Sequence, residues 1–315
     1  MPRLFALAFI WGWSFVLIKV AGTELTPTAV AGGRTFLGAL VLLTVLRLQG
    51  IPFPRDRRVL GHFLVVGAVG SAVPFALLAW GEQHIDSGLA AVLNASTPLF
   101  TAGLAVPLLG ERARPRVLVG LIIGLVGVGV VAGVGGGSFR GTDAAAAMAP
   151  VAAGGCYGLT FCWSARHLMG IPPVVAAAGQ VTAATVLMAP LAITTSVVHG
   201  VVPGPRPLGC LLLLGALGTG LAYVLSFRIV AELGATVASL CTYIIPVVAL
   251  AVGAVVLHES ITIRTAIGGA IIVISVALVT RARRAPPPTG PTDAAGDIGV
   301  GPVADIASTP SPGAR

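Results

Sequence analysis

Pro98 and Pro246 each stand near the middle of a long apolar run, at equivalent places in the two halves of this 315-residue chain. A proline within a helix lacks the backbone donor and crowds the carbonyl four residues earlier, so the carbonyls of Asn94 and Thr242 are expected to be free. At membrane depth such carbonyls persist only where protein buries them or a wet cavity receives them. The pair reads as hinges beside a polar site, or as kinks that fit two helices to their neighbours, and the two roles are compatible. Arg34 lies within the second apolar run, where its guanidinium would either clasp a substrate carboxylate with two N–H groups or bridge helices structurally. Lys19 and Glu82, at the outer ends of the first and third runs, suit an outer gate; Lys19 alone also suits a cation snorkelling to the interface. Trp13, Ser14, Asn94, Tyr157, Thr160, Trp163, Gln180, Tyr223 and Tyr243 complete the candidate substrate cavity. Some of these would be ordinary packing or interfacial-belt residues.

The remaining polar inventory excludes several kinds of chemistry. Every Asp and Glu falls in a loop, near a helix end or in the C-terminal tail, and the five histidines do likewise, so no carboxylate lies midway along a helix as a proton relay. Proton coupling would need a peripheral site; without it the chain would be a facilitator. There is no GxxxxGK[ST] phosphate loop to harness ATP. A membrane enzyme would need a catalytic constellation, and HExxH, GxSxG and paired intramembrane carboxylates are all missing. A receptor-like bundle remains a third class, although it gives no reason for matched mid-helix prolines. The four cysteines form no CxxC and, with the histidines, no zinc-like spacing, so neither metal nor cofactor is expected. Net charge is +8, but the basic residues form short clusters between apolar runs without a reader motif, which argues against nucleic acid.

The elements that carry these residues must sit in lipid. With 56% hydrophobic and 10% charged residues, the chain has more apolar surface than a water-soluble fold could bury. Hydropathy predicts an all-α integral membrane protein with ten spanning helices, near Leu4–Val20, Pro27–Arg47, Leu60–Gly81, Gly88–Leu109, Val117–Val134, Ala144–His167, Pro173–Val198, Leu208–Val230, Ala235–Leu257 and Thr262–Thr280. The first run follows Arg3 as a secretory signal would, but Trp11, Trp13 and Lys19 make a poor signal core, so it is expected to remain as a helix. With a cytoplasmic N-terminus, only Lys19, Arg140, Arg206 and Arg264 of the 19 basic residues face outward, while Arg34 lies within the second helix. That bias predicts a plasma-membrane protein with both termini in the cytoplasm. Residues 281–315, rich in Pro, Gly and Ala, read as a disordered cytoplasmic tail.

The two halves repeat one another. When Asp86 is laid on Gly234, the stretch to Val131 runs to Val279 without a gap, matching Pro98 to Pro246, Glu111 to Glu259, Arg116 to Arg264 and Gly120 to Gly268. The preceding helices agree as Gly67-Ala68-Val69-Gly70-Ser71 over Gly215-Ala216-Leu217-Gly218-Thr219, and a two-residue slip brings Trp11–Phe15 onto Tyr157–Phe161. Five helices per half is an odd number, so residues 1–134 and 142–280 would form two five-helix repeats of inverted topology, as in secondary transporters. The recurring Glu111/Arg116 and Glu259/Arg264 pairs look like structural turn and helix-start residues.

Over nearly all of Leu4 to Thr280 the sequence resembles the EamA-like exporters of the drug/metabolite transporter superfamily. The resemblance rests on Trp11-Gly12-Trp13-Ser14-Phe15 followed by Lys19, on Arg34, on Pro98 with Gly110-Glu111, and on Pro246 with His258-Glu259. It implies a ten-helix inverted-repeat exporter of small metabolites such as amino acids, whose partners are that substrate and the bilayer. Three departures count. His258 replaces the glycine seen at position 110, Gln180 stands where the first half has Arg34, and the helix-one glutamate of the small multidrug exporters is missing, since no acidic residue precedes Glu24.

Overall fold

A computed structural model describes residues 2–110, 115–131, 142–200, 202–226, 228–229 and 241–284, and the regular structure among them is helical throughout. In chain order the helices are α1 (Pro2–Ala21), α2 (Pro27–Leu48), α3 (Arg57–Gly81), α4 (Ser87–Leu109), α5 (Pro115–Val131), α6 (Thr142–His167), α7 (Pro173–His199), α8 (Pro205–Ser226), α9 (Cys241–Val256) and α10 (Ile263–Arg284). Seven of them, α1 to α4 and α6 to α8, are long and apolar enough to cross a membrane. The other three carry shorter apolar helices, Pro115–Val131, Ile244–Val256 and Ile263–Ser275. Each of those three adjoins a stretch beyond the described residues, so the expected count of ten spans stands at seven long and three short helices. Residues 285–315 of the expected tail, and Glu111, lie outside the described residues.

Large apolar side chains point outward along the bundle: Phe5, Phe36, Leu40, Ile122, Val186 and Ile274 are each more than half exposed. That pattern would be costly in water and is neutral against lipid tails. Helix ends are fixed by local chemistry. Thr26 caps α2 by accepting from the Ala29 amide at 3.2 Å, with Pro27 opening the helix. Asp56 caps α3 through the Arg58 amide at 2.8 Å. The cap of α4 comes from far away: the Glu259 carboxylate accepts from the Ser87 amide at 2.8 Å, the Ser87 hydroxyl at 2.9 Å and the Gly88 amide at 3.0 Å. A negative charge there also complements the helix dipole.

Packing joins early helices to late ones. α1 lies against α8 and α9, α2 against α7 and α8, and α3 and α4 against α6. α5 and α10 meet where the Ser275 hydroxyl donates to the Gly120 carbonyl at 2.5 Å. Two long helices are not α-helical throughout. α3 is π-helical over Ala68–Ala72, and α8 over Leu214–Leu221. α4 is broken: Ser87–Asn94 ends, Ala95 and Ser96 turn, and Thr97–Leu109 begins again.

Candidate substrate-binding site

The two π-helical segments place the polar residues of the bundle interior. In α3, Pro74 has no N–H to offer the Gly70 carbonyl, and the Val73 amide reaches back five residues to Ala68 instead. The orphaned Gly70 carbonyl accepts from Gln180 Nε2 of α7 at 3.2 Å. The same amide donates to the Ser71 hydroxyl at 3.0 Å. The π segment of α8 holds no proline, but the Ala222 amide again reaches five residues back, to Leu217. The Gly218 carbonyl accepts instead from Trp11 Nε1 of α1 at 3.2 Å. The next residue, Thr219, accepts at its hydroxyl from Arg34 Nε of α2 at 3.1 Å. In the repeat alignment Gly70 falls on Gly218 and Ser71 on Thr219. Each π segment is thus held by side chains from helices in the other half of the sequence.

A side chain on either glycine would crowd a neighbouring helix, more so at Gly70 than at Gly218. A Cβ on Gly70 would lie 2.6 Å from Thr160 Cγ2 and 2.8 Å from Gln180 Nε2. One on Gly218 would lie 2.8 Å from Ser14 Oγ, whose own proton goes to the Ile10 carbonyl at 3.0 Å.

Around these clamps the wall is aromatic. The Arg34 guanidinium carbon sits 3.7 Å from the centre of the Phe75 ring, a cation–π contact inside the bundle where Arg34 is 4% exposed. Tyr157 of α6 and Tyr223 of α8 are its electrostatic neighbours, and Tyr223 also hydrogen-bonds Ser71. Trp11 stands edge-on to Tyr223, ring centres 6.5 Å apart. Ala31, Ala72, Ala184 and Met188 pack beside both tyrosines. The structure therefore brings Arg34, Ser14, Tyr157, Thr160, Gln180 and Tyr223 into one neighbourhood.

Other sequence candidates stand apart. Trp163 stacks on His167 at 4.3 Å and faces His62 at 6.0 Å, six residues along α6 from Tyr157. The side chains of Tyr243 and Thr242 lie outside the described residues. Trp13 Nε1 and Asn94 Oδ1 are buried without a hydrogen-bond partner among the described residues.

Three details differ from the sequence expectation. The Asn94 carbonyl is not free, because Pro98 sits at the start of a new half-helix and the Thr97 hydroxyl turns back to that carbonyl at 2.8 Å. Pro246, by contrast, lies inside the helix Cys241–Val256, so the matched prolines are not structurally equivalent. Lys19 does meet Glu82, but through the main chain: its ammonium donates to the carbonyls of Glu82 at 2.6 Å and Ile85 at 2.7 Å. The open carbonyl end of α3 offers that cation partial negative charge without any carboxylate.

The sequence pattern of the EamA-like transporter family matches residues 3–133 and again 145–281. The chain belongs to that family. Among relatives of this EamA-like transporter, a Bacillus subtilis protein named as the uncharacterized transporter YoaV is 24% identical over 284 residues, covering 89% of this chain and 96% of that protein. A probable terminal-alkyne amino-acid exporter of Streptantibioticus cattleyicolor is 28% identical over 272 residues, 86% of this chain and 90% of that one. A crystal structure aligns with a TM-score of 0.64 at 19% identity, over 90% of this chain and 98% of its own, which establishes likeness of fold. Membership of a transporter family makes the chain a multi-pass membrane transporter and not an enzyme.

Sequence reasoning missed Trp11, Ser71, Pro74, Phe75 and Thr219. Trp11 and the Gly-Ala-x-Gly-Ser/Thr match were visible, and a proline four residues beyond a glycine signals an orphaned carbonyl. No pattern in the sequence marks Phe75 as the partner of Arg34.

Proposed function

We propose that this EamA-like transporter exports a small polar metabolite of the amino-acid class from the cytoplasm, by alternating access and without ATP. The observation that carries the proposal is the crossed arrangement of clamps: Gln180 on the π segment of α3, and Trp11 with Arg34 on that of α8. Such exchange of partners between halves is what two inverted five-helix repeats need if each is to rock against the other around a shared site. Arg34 is the anion-binding group, since its Nε is held by Thr219 while a planar guanidinium presents further donors suited to a carboxylate. Tyr157, Tyr223 and Phe75 supply the apolar wall. The break before Pro98 and the mid-helix Pro246 serve as the hinges, and Lys19 at the outer end of α3 as part of the gate. The name of the Streptantibioticus relative favours an amino acid over other metabolites. The membrane is the plasma membrane, with both termini in the cytoplasm.

The test is purified protein in liposomes loaded with a mixture of labelled amino acids, with efflux followed along an imposed gradient and no ATP present. Arg34→Gln, if well folded, should abolish efflux of any amino acid the native chain carries. Flux that requires ATP, or undiminished flux through folded Arg34→Gln, would overturn the proposal.

A further inference from the structure

The carboxyl of Glu82, unlike its main chain, has no role in the foregoing. Glu82 follows α3 directly, just outside the spanning segment Arg57–Gly81, and its amide donates to the Leu78 carbonyl at 2.9 Å. Its side chain is 1% exposed, and neither carboxyl oxygen has a hydrogen-bond partner among the described residues. Buried charges are normally paired, and an isolated carboxylate ion out of water is strongly disfavoured, so the group takes a proton instead.

The charged neighbours do not rescue the ion. Lys19 on α1 spends its ammonium on the carbonyls of Glu82 and Ile85 and makes no hydrogen bond to the carboxyl. Arg34 on α2 meets Thr219 and Phe75 and makes no hydrogen bond to the Glu82 carboxyl. Glu259, from the segment after α9, adds like charge, and Asp86, further along the same loop, is within reach of both Glu259 and Lys19. α6 packs Ala146, Ala149 and Pro150 against the adjacent Gly81, and none of these titrates. Burial holds the Glu82 carboxyl well above the usual carboxylate range, with Lys19 opposing, Glu259 reinforcing and Arg34 opposing. Lys19 also lines a cavity of about 580 Å³ with Thr23, Glu24, Asp86, Arg206 and Glu259, so water has a route to the loop that holds Glu82.

We propose that Glu82 is a proton-binding site that latches the outer end of the bundle. The neutral carboxyl keeps the closed packing of α1, α3 and the loop between α3 and α4. Deprotonation breaks its O–H bond, passes the proton to water in the outer cavity and leaves the electron pair on the carboxylate. That ion is stable only where Lys19 or water reaches it, which opens the outer end. The sign follows: closure is favoured below the raised pKa and is lost as outer pH climbs through it. The latch rests on the proposed alternating access for its purpose, whereas the proton site itself does not.

The experiment needs no substrate. In the full chain with Cys156, Cys162, Cys210 and Cys241 changed to serine, Ile85→Cys places a thiol at a 4%-exposed position beside Glu82, and Thr23→Cys provides an exposed control. Each variant is labelled in liposomes from outside with a membrane-impermeant maleimide, and the ratio of the two rates removes the intrinsic pH dependence of the thiols. Between about pH 5 and about pH 9 that ratio should rise by up to about tenfold per pH unit through a single-proton transition. Glu82→Gln, permanently neutral, should hold the acid value throughout. A flat ratio with Glu82 present, or an unchanged pH course in Glu82→Gln, overturns the proposal. Should Glu82→Gln fail to fold, infrared spectra of the native chain and Glu82→Asp decide. A protonated-carboxyl band at neutral pH that moves in Glu82→Asp supports the site, and a native spectrum without that band overturns it. A pH-responsive outer end in a chain that moves no amino acid would fail the proposed export and leave the proton site standing.

Discussion

Thr219→Val isolates the contact that anchors Arg34. Valine keeps the shape of threonine but removes the hydroxyl that accepts from Arg34 Nε at 3.1 Å, in a setting where Arg34 is 4% and Thr219 0% exposed. A hydrogen bond from a charged donor contributes about 1.5–3 kcal/mol in a protein interior. Interhelical bonds in bilayers measure less, about 0.6 kcal/mol on average and about 1.7 at most, because separated helices find other partners. The charge of Arg34 puts this bond at the upper end of that range, about 1–2 kcal/mol. Thr219→Val also deletes the long bond of the hydroxyl to the Leu214 carbonyl at 3.3 Å, so the single variant overstates the loss. A double-mutant cycle with Arg34→Met, which keeps an unbranched apolar side chain but no donor, cancels that excess. The measurement is reversible unfolding of the four purified proteins in mixed micelles against rising sodium dodecyl sulfate, followed by circular dichroism. A coupling below about 0.3 kcal/mol, within ordinary additivity, would mean that the clamp does not hold Arg34 and would refute the reasoning.

The remaining expectations concern the other contacts. Trp11→Phe keeps the ring near Tyr223 but loses the indole donor to the Gly218 carbonyl at 3.2 Å, and should lower thermal stability in detergent by about 1 kcal/mol. Gly70→Ala forces a Cβ against Thr160 and Gln180 and should cost about 1–3 kcal/mol in the same assay, while Gly129→Ala, which meets nothing within 4 Å, should be neutral. Glu259→Gln weakens three bonds at the N-terminus of α4 and should cost about 1 kcal/mol, with the amides of Ser87 and Gly88 losing hydrogen-exchange protection first. Cytoplasm-active reporters fused after Arg58 and after Arg284 should be active and one near Gly137 silent; activity of the last would reverse the orientation drawn from the basic residues.

The helices were legible because lipid imposes a length and a composition, and long, mainly apolar runs such as Pro173–Val198 satisfy both. Much of the candidate site was legible for a related reason: Arg34 and Gln180 are polar groups within apolar runs, and such groups must find partners inside the bundle. Which partners they find was not legible. Depth along a run singled out Pro98, yet Pro98 opens a half-helix and its expected orphan carbonyl is satisfied locally by Thr97. Pro74 creates the lasting orphan, but it occurs in one half only, where the other half has Ala222, so a search for repeated residues passes over it.

That difference separates what the repeat preserves from what it lets drift. Proline is one way to open the hydrogen-bond ladder at Gly70; at Gly218 the same five-residue bonding arises without it. What recurs is a glycine whose carbonyl is released, a neighbouring hydroxyl, and a donor supplied by a helix of the other half. The donors themselves have diverged: one amide serves both the carbonyl and the hydroxyl in α3, whereas an indole and a guanidinium share those tasks in α8. Splitting the task releases Arg34 from the carbonyl, so that a single bond to Thr219 positions it and its charge stays available inside an otherwise apolar wall. A charge-bearing clamp on one side and a neutral one on the other makes the two halves unequal in charge, and under the proposed export a substrate with one carboxylate would have only one way to lie between them.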